Sequence, residues 1–180
     1  MHSNPFHRAT YLTGATAVGK TAVAVRLAHQ LNAEIIALDS MTLYRGLDVG
    51  TAKPSLQDRD GIPHHLLDIL DPWQNADLAL YRNHALQAVL DIEARGKLPL
   101  FVGGTPLYLK ALLRGLFEGP AANPNLRAQL EAEAHRLGRQ TLHARLAVLD
   151  PDSAARLQPQ DLRRVVRALE VVTLTGRPLS

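Results

Sequence analysis

The pattern of this 180-residue chain predicts an α/β fold: a parallel sheet flanked by helices, with an all-helical insertion or lid towards the C-terminus. Three observations carry that prediction. An apolar run enters a glycine loop, Gly14-Ala15-Thr16-Ala17-Val18-Gly19-Lys20-Thr21, and a helical pattern leaves it. Residues 33–39 and 98–102 are nearly continuous apolar runs of strand length, the texture of parallel strands buried on both faces. From residue 121 onward, proline-punctuated helical stretches follow one another with no strand among them. Strands alternating with helices form right-handed parallel units, and such sheets bind ligands at the carboxyl ends of their strands.

Taken in order, residues 8–13 read as a short strand running into the glycine loop. Gly19, Lys20 and Thr21 open a helix to Leu31, with Val23, Leu27 and Leu31 at i, i+4 and i+8 as its apolar stripe. The strand at 33–39 ends on the carboxylate of Asp39, and a polar, glycine-bearing loop spans 40–63. A short strand is expected at 66–70 and an amphipathic helix at 76–95, stopped by Gly96. The strand at 98–102 ends in Gly103-Gly104-Thr105, and Pro106 starts a helix to about residue 116. Asn123-Pro124, Asp150-Pro151 and Gln158-Pro159 divide the remainder, whose last helix runs from 161 to 175 before Gly176. The expected division is a catalytic core at 1–120 and a helical insertion at 121–180. A doubly wound sheet normally has more than three or four strands, so the core is expected to be incomplete and the chain to be part of a longer protein.

Composition narrows the function. Apolar residues at 46% and charged residues at 21% describe an ordinary globular protein. With no cysteine, disulfide scaffolds and thiolate metal sites are excluded. The opening MHSNPFHRAT has no apolar signal core, and no apolar run approaches the roughly 20 residues of a membrane helix, so a cytoplasmic monomer without membrane contact is expected. Acidic and basic residues balance through residue 120. The net +3 lies in the last third, where every basic residue is arginine, the side chain suited to bidentate phosphate contact.

GATAVGKT fits G-x-x-x-x-G-K-[ST], which makes the predicted core P-loop NTPase-like. Successive backbone N–H groups and the positive end of the following helix form an anion nest, Lys20 adds a point charge, and the Thr21 hydroxyl is placed to hold Mg²⁺. An ATPase would carry an acid for that ion at the end of a further apolar strand. Here the strand at 98–102 has Gly-Gly-Thr in that place, and the carboxylate at a clear strand end is Asp39. Asp39 could act as a general base while the loop, Lys20 and Mg²⁺ stabilise charge on a departing phosphate, with Thr105 positioning the nucleophile. Two reactions fit: phosphoryl transfer to an acceptor, or alkyl transfer with diphosphate as leaving group. A phosphate-binding module without catalysis fits too.

The blocks GATAVGKT, ALDSMTLYRGLDVGTAKPS, GIPHHLLDILDP, LFVGGTPLYLKALLRGL and DLRRVVRALEVV, in that order, resemble the tRNA dimethylallyltransferase family, also called tRNA isopentenyltransferases. The resemblance runs from about Thr10 to the end of the chain, and the family's core extends further. It implies transfer of a dimethylallyl group from dimethylallyl diphosphate to the exocyclic N6 of the adenosine 3′ of the tRNA anticodon. Gly14 to Thr21 would then bind the donor diphosphate, with Val18 standing where a serine is often found. Asp39 would take the N6 proton, and Asp39, Ser40, Met41 and Thr42 would touch the anticodon stem-loop. Thr105 would meet the adenosine, and Arg127 and the run Arg163, Arg164, Val165, Val166 and Arg167 would contact tRNA. The alternative is an ATP-dependent small-molecule or nucleotide kinase.

Other residues read more plainly. His64 and His65 are adjacent and lack a third ligand, which favours packing and hydrogen bonding over a metal. Arg163 and Arg167 share a helical face at i, i+4, where Asp161 and Glu170 can balance them. Trp73 and Tyr108 are expected to pack rather than to stack on a base, and Tyr44 lies in the loop beside Asp39.

Overall fold

The computed structural model describes residues 4–115 and 119–180. The chain divides into two compact units, Met1–Leu116 and Phe117–Ser180, a boundary slightly before the expected one at residue 120.

The first unit is a four-stranded parallel sheet. Its strands are β1 (Thr10–Thr13), β2 (Ala33–Leu38), β3 (His64–His65) and β4 (Leu98–Gly103), in the order β1-β4-β2-β3. The central pair runs in register from Ala33 opposite Leu98 to Leu38 opposite Gly103, so β2 and β4 finish level with each other. Helix α1 (Lys20–Leu31) covers one face, where Ala24, Val25 and Ala28 lie on Ala33, Ile35 and Leu100. Helices α2 (Leu78–Ala94) and α3 (Pro106–Arg114) belong to the core of the other face, which gathers Tyr81, Val89, Ile92, Tyr108 and Leu112 with Ile36, Leu38 and Phe101. Every residue of β2 is buried, as its nearly continuous apolar run requires, with Glu34 as the one charged member. Burying each large side chain of this set contributes about 2 kcal/mol.

Four expectations change. The first strand starts at Thr10, because Pro5–Arg8 forms a 3₁₀ turn whose Phe6 amide is capped by the Asn4 side chain. The α1 stripe is misplaced: Val23 and Leu31 are exposed, Leu27 is half-buried, and alanines face the sheet, where a small residue lets helix and sheet approach closely. The strand at 66–70 is absent. Leu66 and Asp68 adopt left-handed φ of 61° and 57°, which ends the pairing after His65 and leaves one bridge between Tyr44 and Leu70. Trp73 is 81% exposed, because it sits in the turn between Asp71 and Gln74, on no helix or strand face. Tyr108 is buried as expected, stacked on Tyr81 with ring centres 3.9 Å apart.

The second unit is all helical: α4 (Pro124–Leu137), α5 (Arg139–Leu149), α6 (Pro151–Arg156) and α7 (Leu162–Thr175). Asn123 and Asp150 cap α4 and α6 by accepting from the Leu126 and Ser153 amides, and Gly176 ends α7 in the left-handed conformation. Leu130, Leu142, Leu146, Val165 and Leu169 make its core. Inside it the fully buried Glu170 joins α4 to α7: Arg127 donates Nε and Nη2 to the two carboxylate oxygens at 2.9 and 2.8 Å, and Arg167 donates Nη1 at 2.7 Å. Among the described residues no helix is long and apolar enough to cross a membrane.

Candidate active site

The ends of β1, β2 and β4 meet at one cavity of about 400 Å³. Thr16, Ala17, Gly19, Lys20 and Thr21 of the glycine loop line one side, Asp39 follows β2, and Val102, Gly103 and Gly104 come from the end of β4. The loop is built from local conformational freedom. Ala17 and Gly19 take left-handed φ of 66° and 82°, and Gly19 leads directly into α1. Among the described residues no chain acceptor takes the amides of Ala15 to Ala22, so the concave loop and the first turn of α1 present free N–H groups. The Lys20 ammonium folds back onto the carbonyls of Gly14, at 2.9 Å, and Ala15. Val18 is 62% exposed and turns away from the cavity lining.

The close pairing of β2 and β4 explains why no acid stands at the end of β4. A Cβ on Gly103 would collide with the Leu38 backbone, and one on Gly104 would come within 3.0 Å of the Gly14 carbonyl. The carboxylate of this cavity is therefore Asp39, half-buried just past β2. Its Oδ1 accepts the Met41 amide at 2.8 Å, which fixes the side chain and leaves the second oxygen unpartnered among the described residues. Thr105 caps α3 by position, its amide donating to the Leu38 carbonyl at 3.2 Å, but its hydroxyl makes no capping bond.

The remaining expected residues divide. Gly14, Ala15, Val18 and Thr105 do not line the cavity, Ser40 is half-buried, Met41 is exposed, and Thr42 is buried in the cavity wall. In the helical unit Arg163 and Arg164 are exposed, with Arg164 3.4 Å from Asp161. Arg127 and Arg167 are partners of Glu170 rather than free cations, although each keeps about a third of its side chain exposed. Val165 and Val166 are buried in the helical core, so an RNA contact through their side chains is corrected: they hold α7 in place.

Sequence reasoning passed over much of the opposite wall. Thr51, Ala52, Pro54, His64 and Leu67 also line the cavity. The segment 40–63 reads as polar loop, and its role shows only in the tertiary fold. The signal within it is Lys53, followed by Pro54, whose burial needs nearby acids. His64 holds the Ile62 carbonyl through Nδ1 at 2.8 Å, and burial pushes its pKa down, so the imidazole stays neutral. His65 instead joins Arg95 and Lys97 around the buried Glu34 near the start of β2.

Among the described residues no three His, Cys, Asp or Glu side chains cluster as a metal cage. Mg²⁺ commonly takes one or two protein oxygens and completes its shell with phosphate oxygens and water. The hard hydroxyl oxygen of Thr21, on the cavity lining, fits that habit.

Fold and site define a P-loop α/β protein whose glycine loop shares one cavity with Asp39. A family model described as IPP transferase matches residues 42–180, and one described as isopentenyl transferase matches residues 7–68. The chain belongs to the IPP transferase family. It is 52% identical to the tRNA dimethylallyltransferase of Thermomicrobium roseum over 94% of this chain and 52% of that protein. With the tRNA dimethylallyltransferase of Burkholderia thailandensis it shares 54% identity over 94% of this chain and 52% of that one. Among solved structures it resembles the full-length tRNA isopentenylpyrophosphate transferase of Bacillus halodurans, with 44% identity, a TM-score of 0.62, and 95% of this chain and 57% of that chain covered. It also resembles a eukaryotic dimethylallyltransferase acting on tRNA, at 33% identity and a TM-score of 0.78, over 94% of this chain and 42% of that one. The chain spans about half the length of the curated relatives it matches.

Proposed function

We propose that this chain carries the donor site and catalytic base of a tRNA dimethylallyltransferase. The observation that supports it most is the pairing of a phosphate cradle with Asp39 on one cavity, in a member of the IPP transferase family. The amides from Ala15 to Ala22 and the Lys20 ammonium hold the diphosphate of dimethylallyl diphosphate. The tail lies against the apolar part of the cavity, among Ala24, Ile35, Ala37 and Leu67. The N6 lone pair of the adenosine attacks the prenyl C1, the C1–O bond breaks with its electron pair going to diphosphate, and the N6 proton passes to Asp39. Thr105 positions the amine. Thr21, with the phosphates, would hold Mg²⁺, which when bound supplies positive charge against the departing diphosphate.

An adenine amino group is a weak nucleophile because its lone pair is conjugated into the ring, so a positioned base and a stabilised leaving group both matter. In a single-stranded anticodon loop the base is cheaper to unstack than in a duplex. The helical unit offers Arg163 and Arg164 to the RNA backbone. The kinase alternative gains nothing from the relatives, which are dimethylallyltransferases by name, nor from the end of β4, where an acid would collide with β2.

Incubation of tRNA with the protein and isotopically labelled dimethylallyl diphosphate, followed by nucleoside mass spectrometry, tests the reading. The expected result is label on the adenosine 3′ of the anticodon. Label absent there while ATP is consumed would overturn it.

A further inference from the structure

We infer that Lys53 is a positioning residue, whose buried ammonium holds the wall of the donor cavity in shape; this rests on the reading of that cavity as a prenyl diphosphate site. The Lys53 side chain is 4% exposed. Its three donors are spent on the Asp48 carboxylate at 2.6 Å, the Asp68 carboxylate at 2.6 Å and the Tyr44 carbonyl at 2.7 Å. One cation thus ties the segment from Tyr44 through Asp48 to Lys53 itself onto Asp68, fifteen residues further along the chain. Both sides of the tie contribute to the cavity close to it: Thr42 near Tyr44, Thr51 and Ala52 between Asp48 and Lys53, Pro54 just after it, and Leu67 beside Asp68.

The backbone there needs such a tie. Ala52, Leu66 and Asp68 all adopt left-handed φ, at 53°, 61° and 57°, and none is glycine. Side chains rarely take this conformation, and it persists where surrounding contacts over-determine it. Ala52 adjoins the Lys53 stem, Asp68 is one of its anchors, and Leu66 lies two residues before that anchor. Burial works against the charge, but Asp48 and Asp68 outweigh it and hold the Lys53 pKa above its usual value, so the clip stays ionised. Without it the two strained stretches are free to relax, and the wall facing Ala24 and Ile35 moves. None of the three hydrogen bonds of Lys53 reaches the neighbouring glycine loop, whose Lys20 is anchored on the Gly14 and Ala15 carbonyls, so the loop is expected to keep its shape.

This separation sets the test. Dimethylallyl diphosphate touches cradle and wall, whereas inorganic diphosphate needs the cradle alone. Dissociation constants for both, each with Mg²⁺, are measured by calorimetry on the wild-type chain, Lys53→Met and Asp68→Asn. Lys53→Met is expected to weaken dimethylallyl diphosphate about tenfold, the effect of losing burial for roughly two methylene groups, and to leave inorganic diphosphate within about twofold. Asp68→Asn, which keeps an acceptor on a half-exposed side chain, is expected to shift the same ratio in the same direction by less, and it decides the matter should Lys53→Met not fold. Equal weakening of both ligands, or an unchanged ratio in a folded variant, would overturn the inference. A wild-type chain that binds inorganic diphosphate but gains nothing from the prenyl tail would instead overturn the donor reading on which it rests.

Discussion

At the scale of single residues, Asp39 divides its two oxygens between two tasks. One accepts the Met41 amide and fixes the side chain, and the other has no partner among the described residues. That split suits a base, which must be aimed without being neutralised. Asp39→Asn keeps the aim and removes the basicity, so transfer should fall by about 10²- to 10⁴-fold while dimethylallyl diphosphate binding stays within about twofold. Single-turnover kinetics beside equilibrium donor binding checks this, and a matching collapse of donor affinity would mean that Asp39 binds the donor instead. At this scale the sequence was informative wherever the requirement is local. The glycine loop declares itself because Gly19 must be left-handed and Lys20 must follow it; Asp39 does so because it ends an apolar run. Lys53 and His64 did not, since what matters about each is what tertiary folding places around it.

At the scale of elements, the buried strands were legible from their nearly continuous apolar runs, whereas the inner face of α1 was not, because its alanines carry too little hydrophobic signal against Val23 and Leu31. The strand expected at 66–70 failed for a reason invisible in composition: Leu66 and Asp68 turn left-handed. On α7 the pattern shows four charges but not their pairing: Arg167, with Arg127 from α4, is committed to Glu170, while Arg163 and Arg164 are exposed and are the pair proposed to meet RNA. Replacing that pair by alanine should weaken tRNA binding and reduce the slope of log affinity against log salt by about one unit per arginine lost from a phosphate. An unchanged slope in a filter-binding titration would leave them as solvated surface charges.

Glu170 makes a separate prediction. Burial raises its pKa, but hydrogen bonds from Arg127, Arg167 and the Asn123 amide outweigh burial and hold it at about 2. In the first unit Arg95, ahead of His65 and Lys97, likewise holds Glu34 at about 2 against burial. Each carboxylate therefore titrates lower folded than unfolded. Their stabilisation is complete above the unfolded value near 4.5 and is lost as pH falls from there to about 2. Glu170→Gln should cost about 3 kcal/mol at neutral pH, near the low end for breaking a buried pair because both arginines retain some water. It should also flatten the loss of stability between those pH values, as read by urea denaturation across an acid series.

At the scale of the whole molecule, the two units divide the charge as they divide the structure. The first is an α/β unit with its cavity at the carboxyl ends of the strands, and the second, where every basic residue is an arginine, carries most of the chain's net positive charge. The order of motifs made this division legible. The curated relatives are about twice as long as this chain. Every described residue lining the cavity lies in the first unit, so donor recognition, as proposed, is the property to ask of it. The account is tested most directly by titrating dimethylallyl diphosphate and ATP, each with Mg²⁺, into the chain in a calorimeter. Saturable binding of the prenyl diphosphate, at least about tenfold tighter than ATP, is expected from a cradle continued by an apolar wall. Tighter binding of ATP would contradict it.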